Sequence, residues 1–363
     1  MPDLVLNDDQ RQYQDLAREF AMNEIAPLAE KCDHSGSTPE DVLRKAWELG
    51  LFNVRVPEAF GGFGLTLTDA CVIAEELGAA CSGISAAFEG NELAVAPILV
   101  AGSESQKEEF LSQLTASFTL AGFALSPLKY EKKGGQYLVS GESVVLNARG
   151  WQWLVVTAHG AEGDSVLIIN DRSGVQGEGE IVFPFGRKAA DIRRQKLVAA
   201  PAQLLGEAGA AAAIMQQANV SSHAYVAAEA VGIGRSALTA SVKYAKERTT
   251  FGVPIGNHQG VAFMLADMAK DVEAGRLLWM KACWYADASS QTRKSVTPST
   301  VARIFALDAA MRIATDAVQV FGGYGYMKEY PVEKLMRDAK VMQMMETPVH
   351  AEKVQLAREL VLR

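Results

Sequence analysis

Three apolar stripes, each recurring at spacings of three and four residues, constrain the C-terminal part of this chain more than any other feature. They run through Ala227, Val231, Gly234, Leu238, Val242 and Ala245, then Leu265, Met268, Val272, Trp279, Cys283 and Ala286, then Ile304, Leu307, Met311, Ala314, Val318 and Phe321. A stripe of this kind must be covered by another element. With a fourth segment after Pro331 and short Pro- and Gly-containing links, an antiparallel four-helix bundle over 209–363 buries all of them.

The N-terminal 117 residues also read as helices, over Asp8–Ala29, Thr38–Leu51, Leu67–Ala80 and Asn91–Ala101. Between them Val56–Gly64 holds a Pro and three Gly and is a loop. From Phe118 the texture changes to short β-branched and apolar runs: Phe118–Leu125, Tyr137–Leu146, Trp153–Ala158, Ser165–Asn170, Ile181–Phe185 and Lys196–Ala199. These predict a compact antiparallel β-domain. The expected architecture is α+β, with a helical domain over 1–117, a β-domain over 118–208 and the bundle over 209–363.

With 363 residues, 49% of them hydrophobic, the chain is long enough for two or three cores. Its net charge of −8 and its lack of a Lys/Arg block argue against nucleic acid as a partner. No uninterrupted run of about 18 apolar residues marks a membrane span, and the acidic start lacks a signal architecture, so the expected location is cytoplasmic. Cys32, Cys71, Cys81 and Cys283 are scattered without metal-ligand spacing, which predicts buried thiols and no metal.

Gly232-Ile233-Gly234-Arg235-Ser236-Ala237 matches the spacing of a dinucleotide fingerprint, but it lies inside an amphipathic helix and follows no strand. Close helix packing accounts for its glycines. The segment Arg248–Gln259 links two bundle helices, where an Arg fork suits phosphate oxygens and a basic residue also suits a helix C-terminus. Gln319–Tyr326 ends a helix with Gly322-Gly323, which lets a backbone approach a ligand closely.

These segments resemble those of the acyl-CoA dehydrogenase family. Glu247–Gln259 is similar to its R-x-x-F-G-x-P-I…Q segment, Gln319–Lys340 to Q-x-x-G-G-x-G-x-x-x-E-x-P-x-E-K-x-x-R-D-A-K, and Val56–Gly64 to V-P-E-x-x-G-G-x-G. The resemblance implies an oligomer, dimeric or tetrameric, in which Arg248, Phe251, Gln259, Gln319, Gly322 and Gly323 of one subunit grip the ADP half of an FAD bound mainly by its neighbour. It implies removal of the α-proton of an acyl-CoA or other acyl thioester by a carboxylate, hydride transfer to flavin N5, and electron delivery to an electron-transferring flavoprotein. Glu346 stands where the short- and medium-chain branch places that carboxylate. Its neighbours Val341, Met342, Met344 and Met345 would raise its pKa by desolvation.

The chain departs from the family in its β-domain. The T-E-P-x-A-G-S-D loop that hydrogen-bonds the flavin ring and the CoA portion is missing, and Phe123–Pro127 runs straight into Leu128-Lys129-Tyr130. Ser126 is left as one hydroxyl for the flavin, and Trp153 stands either at the aromatic that packs on the ring or in a strand core. Thr347-Pro348 replaces Gly-Thr, His350 a Gln that meets FAD, and Val220 and His223 an Asp and an Arg that contact the substrate. Elements that serve a neighbour's FAD are thus kept, and several that serve the chain's own are altered. Two roles follow: a self-sufficient dehydrogenase, or a largely non-catalytic subunit that completes the FAD site of a paralogue. A flavoprotein acting on a non-CoA carrier is a third.

Overall fold

The computed structural model describes residues 4–177, 179–288, 293–345 and 348–361, with the side chains of 288, 293–296 and 359 excepted. Helix starts follow from capping. Asn7, Thr66 and Ser103 each form a capping box with the residue three further on, opening α1 (Asp8–Phe20), α4 (Leu67–Ala101) and α5 (Glu104–Ala116). Between α1 and α4 lie a π turn over Ala21–Ile25, a 3-10 turn at Pro27, and the short helices α2 (Ala29–Ser35) and α3 (Glu40–Glu48).

Where the sequence pattern breaks at Ala80, the chain does not leave the helix. It bends once at Cys81, whose backbone is extended (φ −163°), and continues to Ala101 as one 35-residue element. Gly83 and Gly90, which interrupt the apolar pattern, sit at close approaches: a Cβ on Gly83 would lie 3.0 Å from that of Ala189, and one on Gly90 2.6 Å from Asn147 Nδ2. This helix is apolar enough to cross a membrane, yet 83% of its most apolar window is buried inside the protein. It is the central core helix.

The middle domain is a seven-stranded sheet that closes into a barrel through the β1–β4 and β3–β7 pairings, with β6 held on β7 alone: β1 (Leu120–Ala124), β2 (Leu128–Lys133), β3 (Gln136–Leu146), β4 (Trp151–His159), β5 (Ser165–Ile169), β6 (Val175–Gln176) and β7 (Ile192–Leu205). Most neighbours are antiparallel, but β1 and β2 each run parallel to β4, so the sheet is mixed rather than wholly antiparallel. The expected strand at Ile181–Phe185 is absent as a ladder: Ile181 makes a single bridge to Arg193. One face of β4 fills the barrel through Trp151, Leu154 and Val156, and the other, through Trp153 and Val155, packs on α4 and α5.

The C-terminal stripes bury as expected in α6 (Ala211–Glu247), α7 (Gln259–Ala288) and α8 (Arg293–Phe321). The segment after Pro331 forms two helices, α9 (Val332–Met344) and α10 (Val349–Val361). A two-strand ribbon, β8 (Thr249–Thr250) and β9 (Val253–Pro254), links α6 to α7. α4 lies along α6, so the N-terminal helices and the bundle share one core.

The glycines of the apparent dinucleotide motif serve this contact. A Cβ on Gly232 would lie 2.3 Å from the Glu75 carbonyl oxygen and 2.8 Å from the Ala79 nitrogen, both backbone atoms of α4. Overpacking of that kind costs about 1–3 kcal/mol, against a helix-propensity gain of about 1 kcal/mol. Gly232→Ala is therefore expected to lower the melting temperature, and Gly260→Ala, where a Cβ would meet nothing within 4 Å, to leave it unchanged or raised.

Candidate functional site

Two places in the fold concentrate chemistry. The first is an open cleft of about 460 Å³ where α6 ends, lined by Tyr244, Arg248, Thr250, Ile255, Phe321, Gly322, Gly323, Tyr324 and neighbours. Stacking of Tyr244 on Phe321, with ring centroids 4.1 Å apart, forms its floor. Arg248 follows the last residue of α6, and its main chain is fixed by the Ile255 N–H donating to its carbonyl at 2.8 Å. Its guanidinium lies 5.8 Å from the Tyr324 ring centroid and has no carboxylate partner among the described residues. Gly322 adopts a left-handed backbone (φ +60°), and a Cβ on either Gly322 or Gly323 would meet nothing within 4 Å.

Of the residues singled out from the sequence, Arg248, Gly322 and Gly323 meet in this cleft. Phe251 does not line it. It stands on the β8–β9 turn, 98% exposed at φ +52°, with Gly252 beside it at φ +81°. Two positive φ values make a type I′ hairpin turn, which a Phe occupies only against strain. Gln259 at the start of α7 and Gln319 near the end of α8 are exposed and lie outside the lining.

The second place is interior. Arg187, in the segment between β6 and β7, is fully buried and also adopts a left-handed backbone (φ +47°). Its Nη2 lies 2.6 Å from Glu89 Oε2 on α4 and 2.6 Å from Glu229 Oε1 on α6. The same guanidinium donates to the Ser82 carbonyl, just beyond the bend of α4, at 3.0 Å, and Nη1 lies 3.2 Å from Met345 Sδ. The Arg187 backbone N–H donates to Asp338 of α9, which Lys334 Nζ approaches at 2.6 Å. Glu89 and Glu229 converge on this one guanidinium, so like-charge repulsion adds to burial in disfavouring a second ionised carboxylate. Burial, reinforced by Glu89 and partly offset by Arg187, pushes the Glu229 carboxyl up to about 8.

Around this cluster Leu125 and Val144 pack with Leu146, Ala190, Ile192, Val341 and Met345, joined by Val182 and Phe183. Glu346 itself lies outside the described residues. The turn that leads to it is held from a second side: Arg303 donates to the Met345 carbonyl at 3.3 Å and pairs with Glu352 of α10. His223 faces the same carboxylate, its Nε2 3.4 Å from Glu352 Oε1, and burial together with Arg303 keeps its pKa well below the usual imidazole range. Val341 and Met345 are buried as expected, whereas Met344 is 45% exposed and points away.

The β-domain candidates divide. Ser126 is half-buried at the end of β1, its N–H donating to Ser143 Oγ at 3.0 Å. Trp153 is fully buried, edge-on to Phe110 of α5 at 5.7 Å, and has no face left for a ring. It is a core tryptophan, because its side of β4 faces α5. His350 is exposed on α10. Neither Arg187 nor its two glutamates had been singled out from the sequence. The available signal was Glu89 in an apolar stretch, since a carboxylate there needs a cation from elsewhere.

The chain matches the family model for the acyl-CoA dehydrogenase C-terminal domain over residues 209–358 and that for the N-terminal domain over residues 7–117. It is 32% identical to the probable medium-chain specific acyl-CoA dehydrogenase 2, mitochondrial, of Caenorhabditis briggsae, over 98% of this chain and 91% of that one. Butyryl-CoA dehydrogenase of Megasphaera elsdenii superposes with a TM-score of 0.92 at 29% identity, covering 99% of this chain and 100% of the other. A chain from structural work on the electron transferring flavoprotein of Acidaminococcus fermentans gives 0.92 at 30% identity, covering 99% of both.

Proposed function

This chain belongs to the acyl-CoA dehydrogenase family of FAD-dependent oxidoreductases, and on that premise we propose that it is a subunit of an enzyme that dehydrogenates an acyl thioester at Cα–Cβ, with its cleft at Arg248 gripping the ADP half of FAD. The observation that carries this is Arg248, which has no carboxylate partner among the described residues and shares one cleft with Gly322 and Gly323. A planar cation suits phosphate oxygens, and the two glycines leave the approach open. FAD, when bound, would supply the acceptor for the hydride that leaves the acyl β-carbon. Electrons pass on to an electron-transferring flavoprotein, a partner supported by the likeness to a chain studied with such a protein.

Two assignments of the chemistry are compatible with this cleft. In one, Glu346 of this chain removes the α-proton, supported by the buried Val341, Met342 and Met345 beside it and by the two arginines that hold Met345. In the other, the base and the flavin ring belong to a paralogous subunit and this chain completes its cofactor site. The replaced loop at Phe123–Tyr130, together with Val220 and His223 in place of two polar substrate contacts, favours the second.

Loss of a charge-assisted bond costs about 1.5–3 kcal/mol, or about tenfold to a hundredfold in affinity. Arg248→Ala is expected to weaken FAD binding by that factor in calorimetry on the purified assembly, with the melting temperature unchanged. An unaltered affinity would remove the cleft from the cofactor site.

A further inference from the structure

We propose that Cys71 of α4 and Cys283 of α7 are a modification site, where a peroxide joins the two thiols into a disulfide that staples the N-terminal helices to the C-terminal bundle. The two sulfurs lie 3.4 Å apart, although the residues are 212 apart in the chain. A helix register builds that approach. α4 and α7 run antiparallel here and meet once per turn on either side of the thiols. One turn before Cys71, the backbone N–H groups of Leu67 and Thr68 donate to Asp287 at 3.0 and 3.2 Å, so the last turn of α7 satisfies the first turn of α4. One turn after Cys71, Glu75 accepts from Trp279 Nε1 at 3.1 Å and from Arg276 Nη2 at 2.6 Å. Asp287, Cys283 and Trp279, four apart on α7, thus stand against Leu67, Cys71 and Glu75, four apart on α4.

Bond formation draws sulfurs in to about 2.05 Å, so a pair already held in contact has little more than about 1 Å to close. The chemistry takes two steps. One thiol attacks the peroxide O–O bond, leaving a sulfenic acid and, from hydrogen peroxide, one water. The second thiol displaces that hydroxyl as a second water, and two electrons have then passed from the sulfur pair to the peroxide. Both thiols are buried, and burial, with Cys283 beside it, pushes the Cys71 thiol well above its usual range. The first step is therefore slow, whereas the second takes place between groups in contact and is fast. The path inward is short: open grooves of about 380 and 420 Å³ border the seam, both lined by Met280, with Trp284 in one and Val72 in the other as chain neighbours of the two cysteines. Neither groove shares a residue with the cleft at Arg248, so the site stands whichever role the chain has in dehydrogenation.

The test treats the full chain, reduced and then freed of reductant, with hydrogen peroxide, followed by alkylation and digestion without reductant. Expected is a peptide pair joining Cys71 to Cys283, about 2 Da lighter than the two thiol peptides together and separated by dithiothreitol. The melting temperature of the treated chain should stand about 3–8 °C above that of the same sample after dithiothreitol, because a bond across so long a loop restricts the unfolded chain. In urea, where Cys32 and Cys81 compete, the yield of that pair should fall severalfold. Cys71→Ala and Cys283→Ala, treated alike, should show no rise, which separates the disulfide from methionine oxidation; the peptide readout on the unsubstituted chain depends on neither variant. Thiols at both positions still open to alkylation after a day in excess peroxide overturn the site. Sulfinic or sulfonic acid at either cysteine without the crosslink does the same, as does a crosslink that leaves the melting temperature unchanged or lowered.

Discussion

Arg187→Met is expected to destabilise the protein by about 3–5 kcal/mol, the range for removing one partner from a buried ion cluster. The guanidinium is fully buried, and without it Glu89 and Glu229 keep no cation within contact among the described residues. Ser82 also loses the donor to its carbonyl at the bend of α4. Arg187→Lys should recover only part of the loss, because one ammonium cannot reach Ser82, Glu89, Glu229 and Met345 from a single position. Adding Glu89→Gln and Glu229→Gln to Arg187→Met should restore most of it by removing the stranded charge. Chemical denaturation of the four proteins measures this. An Arg187→Met protein within about 1 kcal/mol of wild type would mean that water reaches the cluster.

The bundle was legible because its information is local. Three stripes at helical period specify three helices whatever their neighbours, and Trp279, Cys283, Leu307 and Phe321 are buried as their spacing requires. The candidate cleft was legible in part: Arg248, Gly322 and Gly323 come together, while Phe251, Gln259 and Gln319 do not line it in a single chain. The barrel was harder. β2 was missed because its outward face is Lys129, Glu131 and Lys133, leaving only Leu128 and Tyr130 as apolar signal. β7 reads as a short strand around Leu197, since its alternation is diluted by arginines and Pro201, yet it pairs along β3 and β5. Ile181–Phe185 has the composition of a strand, but Pro184 cannot donate to a ladder, and Val182 and Phe183 pack inward instead. Arg187 was invisible for a different reason. Gly186-Arg187-Lys188 has the look of a surface turn, and only the tertiary approach of Glu89 and Glu229 makes it interior.

The same cluster sets a pH dependence with a defined sign. Glu229 has a folded pKa of about 8, raised first by burial, against an unfolded value near 4.5. Between those values the folded state holds a proton that the unfolded state has released, so the stability from this group is complete below about pH 4.5 and is lost as pH rises through about 8. Gln at 229 has no carboxyl proton to lose. The stability of wild type relative to Glu229→Gln should therefore fall by roughly 4 kcal/mol between pH 5 and pH 9, each pKa unit being worth about 1.4 kcal/mol. Groups shared by both proteins, including Glu92, His223 and Lys334, cancel in the difference as long as the substitution leaves them in place. Paired melts at pH 5, 7 and 9 give the result. A difference that does not change with pH would show Glu229 already ionised in the fold, and Arg187 would then face two carboxylates with no proton between them.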